Sequence, residues 1–101
     1  MIEAFLDVRG VRYAALVDEA GALVAHVGDV PADLDVAASA RALLGSLRTA
    51  VGEPAWNDML LDLDSGPLLL TPLGRQLLMT AFDDVANLGR VRFAVRRALG
   101  L

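Results

Sequence analysis

Residues 76–82, QLLMTAF, constrain this chain more than any other stretch, because they are apolar on both faces at strand periodicity. Leu77, Met79 and Ala81 alternate to one side and Leu78 and Phe82 to the other, with Thr80 the mild exception. A strand apolar on both sides must be covered on both, which places it mid-sheet between helical layers. Asn87 then offers an oxygen suited to capping a helix, and Leu88, Val91, Val95 and Ala98 follow at helical spacing. The chain is therefore expected to close by laying a helix back on its own sheet.

The remaining elements follow from periodicity and turn chemistry. Residues 1–9 suit a short helix with Ile2, Phe5 and Leu6 on one face. Residues 11–17 read as a strand, with Val11, Tyr13, Ala15 and Val17 on one face and Ala14 and Leu16 on the other. Asp18-Glu19-Ala20-Gly21 forms a tight turn into a returning strand over 22–27, broken by 28–31. Asp33 or Asp35 caps a helix running to about Val51 and stopping at Gly52. A third strand, 56–64, turns at Ser65-Gly66 into a fourth, 67–71, and Pro72 and Gly74 lead into 76–82. Links between strands are hairpin-short except where the long helix intervenes, so the sheet is predicted to be largely antiparallel. The 101 residues are expected to form one domain, 1–101.

The long helix carries an unusual outer face. Val36, Ala40, Leu43, Leu47, Ala50 and Val51 form the stripe expected to pack on the sheet. The opposite arc holds Leu34, Ala37, Ala38, Ala42 and Gly45, relieved mainly by Arg41 and Arg48. Small residues there permit close approach of a second helix. Alanine alone could reflect helix propensity, but a glycine at Gly45 costs about 1 kcal/mol relative to alanine. In the following strand Met59, Leu61 and Leu63 alternate inward, with Trp56, Asp58, Leu60 and Asp62 on the other face. That strand is a natural sheet edge, and edge-to-edge pairing of two copies would set their long helices side by side.

Composition, 55% hydrophobic and 22% charged, is rich for so small a chain and implies both a sheet covered on its two faces and some apolar surface reserved for a partner. Absence of cysteine excludes disulfide and thiolate chemistry. No run approaches the roughly 18–20 apolar residues of a membrane span, and the N-terminus lacks the pattern of a secretory signal, so a cytoplasmic protein is expected. All nine basic residues are arginine. Residues 1–86 hold five arginines against thirteen acids, a balance of −8, whereas 87–101 hold four arginines and no acid, +4. The acidic body argues against nonspecific nucleic-acid binding. In the terminal helix Arg96 and Arg97 complement the helix dipole, or else present a docking site for an acidic partner.

Catalytic constellations are missing. A phosphate-binding Gly-x-x-x-x-Gly-Lys loop cannot exist without lysine, and neither Gly-x-Gly-x-x-Gly nor Gly-x-Ser-x-Gly occurs. Ser39, Ser46 and Ser65 have no histidine near them in sequence. His26, the only histidine, reads as a partly buried filler, since a metal site wants further ligands. Asp62 with Asp64, and Asp83 with Asp84, stand at strand ends, where carboxylates form turns. The chain is read as a non-enzyme with no cofactor or metal.

Three stretches, in this order and spacing, resemble the roadblock family of dynein light chains and bacterial regulators of Ras-like GTPases. They are RYAALVDEAGALV (12–24), AASARALLGSL (37–47) and the segment 66–99, with GPLLLTPLGRQLLMTAF and NLGRVRFAVRRAL. The resemblance implies an α+β fold of the profilin/longin type, an α/β/α sandwich. Its five-stranded antiparallel sheet runs in the order 2-1-5-4-3, with the long helix on one face and the terminal helices on the other. It also implies a homodimer through the third strand and long helix, with an interface at Ala37, Ala38, Arg41, Ala42, Gly45, Arg48, Trp56, Asp58 and Leu60. The implied partners are a second copy and a Ras-like small GTPase, with no nucleic acid and no membrane insertion. Two departures, a short first helix and no extension past Leu101 of the kind some bacterial GTPase activators carry, favour binding over activation. A structural adaptor bridging larger subunits is the second reading, and a small-molecule sensor the third.

Overall fold

The computed structural model describes residues 2–30, 42, 46 and 57–100. A 3-10 turn, Ile2–Asp7, precedes β1 (Val11–Val17) and β2 (Leu23–Gly28); β3 (Met59–Leu63), β4 (Gly66–Leu73) and β5 (Gln76–Phe82) follow. A short 3-10 turn, Val85–Asn87, then leads into the terminal helix, Leu88–Ala98. The strands form one antiparallel sheet in the order β2-β1-β5-β4-β3, as expected.

Burial explains that order. After Gln76 every residue of β5 is buried, and β4 is buried from Pro67 to Thr71. Leu78, Phe82, Leu69, Ala14 and Leu16 pack under the terminal helix through Val91 and Val95, with Ile2 and Phe5 of the first turn beside them. Ala15, Val17, Leu68, Leu70, Leu77, Met79 and Ala81 form a second cluster on the opposite face, against which Tyr13, Val30, Met59 and Leu61 pack. Leu6, expected with Ile2 and Phe5, is instead 47% exposed.

Register shifts account for several departures from simple alternation. Val11 pairs with Phe82 and Tyr13 with Ala81, so Arg12 is an extra residue in β1. Val11 consequently packs in the terminal-helix cluster and not with Tyr13. β4 runs on through Pro72 to Leu73, past the predicted end at Thr71. Its two prolines lie where it has one neighbour: Pro67 is paired with Asp62 beyond the last β5 pair, and Pro72 with Leu77 beyond the last β3 pair. A missing N–H can there face the open side. The β1–β2 turn forms as predicted, with Gly21 at φ +86° and the Asp18 carboxylate accepting from the amides of Ala20 and Ala22.

The helix start is arranged differently from the expectation. Asn87 makes no capping bond; Asp84 accepts from Ala86 N at 2.9 Å, and Asn87 Nδ2 donates to Asp83 Oδ1 at 2.8 Å. The 3-10 turn has taken the cap position three residues upstream.

Of the predicted long helix, Ala42 and Ser46 are described, and both are helical and exposed. Its expected inner stripe lies outside the described residues, as does the predicted start of the third strand at Trp56.

Candidate docking surface

β3 pairs with β4 through five consecutive positions, Met59 with Leu70 to Leu63 with Gly66, without a register shift. Among the described residues no strand pairs with its other side. Its first three side chains are held from both faces, Met59 and Leu61 on the Leu70–Met79 side and Leu60 on the terminal-helix side, whereas Leu63, expected inward with them, is 39% exposed.

Just ahead of β3, Asp58 is held by Arg92 of the terminal helix. Arg92 Nε donates to Asp58 Oδ2 at 2.7 Å and Nη2 to Oδ1 at 3.0 Å, a two-pronged, charge-assisted pair. The Asp58 side chain is only 14% exposed and that of Arg92 40%. The hydrogen bond to Asp58 raises the Arg92 pKa above its usual value, with burial opposing. Residues 34 positions apart thus clamp the open edge to the helical layer. No local pattern in the sequence announces the partner of Asp58; only the position of Arg92, on the helix flank between Val91 and the outer face, hints at it.

Among the residues assigned to an interface, Ala42 is helical and exposed, while Asp58 and Leu60 share the β3 face turned toward the terminal helix. Ala37, Ala38, Arg41, Gly45, Arg48 and Trp56 lie outside the described residues.

Other polar groups serve the chain's own turns or face solvent. Asp83 and Asp84 bind the helix start, and Asp62 and Asp64 are exposed. His26 is exposed, not the partly buried filler expected, because β2 is an edge with that side open. An open depression of about 430 Å³ is bordered by Arg12, Tyr13, Asp29 and Ser65. Burial pushes the Tyr13 hydroxyl pKa above 10, with nearby Arg12 opposing. No group of three metal-ligating side chains, and no helix long and apolar enough to cross a membrane, occurs among the described residues.

Three solved structures of MglB are similar to this chain. The gliding protein MglB of Thermus thermophilus is 30% identical, with 97% of this chain and 79% of that one covered and a TM-score of 0.79. An MglB structure described as having a tetrameric arrangement is also 30% identical, with 97% and 79% covered and a TM-score of 0.80. Myxococcus xanthus MglB shares the fold at 24% identity, with 98% and 85% covered and a TM-score of 0.83. No curated protein sequence matches. Residues 1–83 match the Roadblock/LC7 domain, and with that match across most of its length the chain belongs to the Roadblock/LC7 domain family.

Proposed function

We propose that residues 1–101 form a single-domain, non-enzymatic homodimer that binds a Ras-like small GTPase in the cytoplasm and regulates its nucleotide cycle or location. Family membership and likeness to MglB support a regulatory or adaptor role toward small GTPases. The observation that carries the reading is the regular edge of β3, with which no described strand pairs, braced from behind by the Asp58–Arg92 pair. Such an edge presents a row of backbone groups to a second copy, and a two-fold pairing closes it. The tetrameric arrangement described for an MglB structure supports self-association of this kind.

The dimer offers a surface and not a catalytic group. It acts by shifting the switch segments of its partner between conformations, which requires differential binding to the two nucleotide states. Binding assays against small GTPases loaded with GTP or GDP test this directly. At least a roughly tenfold preference for one state is expected; equal affinity for both would favour the adaptor reading, and no binding would refute a GTPase partner.

A further inference from the structure

The terminal helix carries a second surface, independent of the β3 edge. With Val91 and Val95 buried and about 100° between successive residues, Phe93 points almost directly away from the core. It is 65% exposed, the most exposed large apolar side chain among those described. Arg90 and Arg97 stand one turn either side of it along one flank, and Gly89 and Arg96 along the other. All four are exposed.

One exposed phenylalanine is ordinary; its surroundings are not. Arg92 is neutralised by Asp58, but Arg90, Arg96 and Arg97 make no ion pair among the described residues, and residues 87–101 contain no acid. Arg90 donates only to the neutral Asn87 side chain, at 3.3 Å. Gly89 sits in the first helical turn with nothing within 4 Å of where a Cβ would lie, so alanine would fit and strengthen the helix. Glycine there leaves the backbone bare one turn before Phe93.

We propose that this face, Phe93 framed by Arg90, Arg96 and Arg97 with the bare backbone of Gly89 one turn away, docks an acidic protein segment that carries an apolar side chain. The arginines match carboxylates in charge and fork geometry, and the Phe93 ring supplies the apolar contact. A flat anionic membrane fits less well. The same helical layer exposes Glu3, Asp7, Asp83 and Asp84, which a bilayer would meet together with the arginines. A narrow segment lying along one helix avoids them.

The test uses the full chain and a fluorescein-labelled peptide probe of alternating Glu and Asp with a central Leu-Phe pair, about eight residues long, which when extended more than covers the roughly 16 Å helix. Fluorescence anisotropy should show saturable binding that weakens from about 50 mM to about 300 mM salt, as screening shortens the reach of the arginines. Phe93→Ala should weaken binding roughly tenfold, and Arg96→Gln with Arg97→Gln by about five- to tenfold with a shallower salt dependence. All three positions are exposed, and unchanged thermal unfolding confirms that the fold is retained. Probe-induced amide shifts in the 10.7 kDa protein should centre on residues 86–100. The proposal is overturned by no saturable binding, by binding insensitive to these substitutions, or by shifts centred elsewhere. Binding to phosphatidylserine-containing vesicles but not to the peptide would likewise overturn it, in favour of a membrane surface.

Discussion

The two edges of the sheet are built on opposite plans. β2 is irregular: Leu16 pairs with Ala25 but Val17 with Leu23, so Val24 is a bulged extra residue, 51% exposed. It ends at Gly28 in a left-handed conformation, φ +80°, with the Leu6 side chain of the first turn close by. β3 keeps unbroken register along its whole length and is packed from both faces. Bulges and twists spoil an edge as a template for pairing, whereas a flat, regular edge invites it. The irregular edge is the poorer template for pairing and the regular one the better.

Substitution at Gly28 should break the β2 plan most severely. A Cβ there would collide with the carbonyl oxygen of Arg12 and come within 2.9 Å of Tyr13 Cα, in a backbone conformation that L residues resist. Gly28→Ala is expected to cost roughly 2–4 kcal/mol in urea unfolding, from strain and overpacking together. A cost below about 0.5 kcal/mol would mean that this end of β2 yields freely.

At the other edge, Arg92→Gln leaves Asp58 without its two-pronged partner. A loss of about 1–2 kcal/mol is expected, less than for a fully buried pair because Arg92 is partly exposed. Amide exchange in Met59–Leu61 should also accelerate. Unchanged exchange there would show that the clamp does not steady the edge.

Between the edges, the hydroxyls of Thr71 and Thr80 are buried without a hydrogen-bond partner among the described residues. Thr80→Val keeps the shape and removes the orphaned group, so stability should stay level or rise by up to about 1 kcal/mol. A clear loss would reveal a bond to that hydroxyl. The smallest effect expected is at Tyr13, paired with Gly28 and the only tyrosine. Its pKa is raised in the folded state, so this contribution to stability is full below pH 10 and lost as pH rises through the folded value. Ultraviolet titration should place its midpoint above 10; a midpoint at or below 10 would show that the β1–β2 packing leaves the ring wet.

These contrasts also show what the residues disclose on their own. β5 was legible to the residue, because an apolar run on both faces admits one kind of place in a sheet. The terminal helix is legible from the spacing of Leu88, Val91, Val95 and Ala98, though its cap is not: the 3-10 turn ahead of it is capped by Asp84, and Asn87 makes no capping bond. Bulges at Arg12 and Val24 leave no mark in composition, and so the placement of Val11 was missed. Alternation groups Asp58 with Leu60, but its tie to Arg92, 34 positions away, is carried by no local pattern. Phe93 lies on the same helical wheel as Val91 and Val95, but the buried stripe dominates that pattern and the outer one is plain only once the helix is seated.

If β3 and the exposed helical face at Ala42 meet a second copy, the mass in solution must show it. Sedimentation equilibrium on the native chain should give about twice 10.7 kDa, falling to one chain mass in Ala42→Glu, a change at an exposed position that the fold tolerates. A native chain that sediments at 10.7 kDa across micromolar concentrations would contradict the homodimer, and with it the role assigned to the β3 edge.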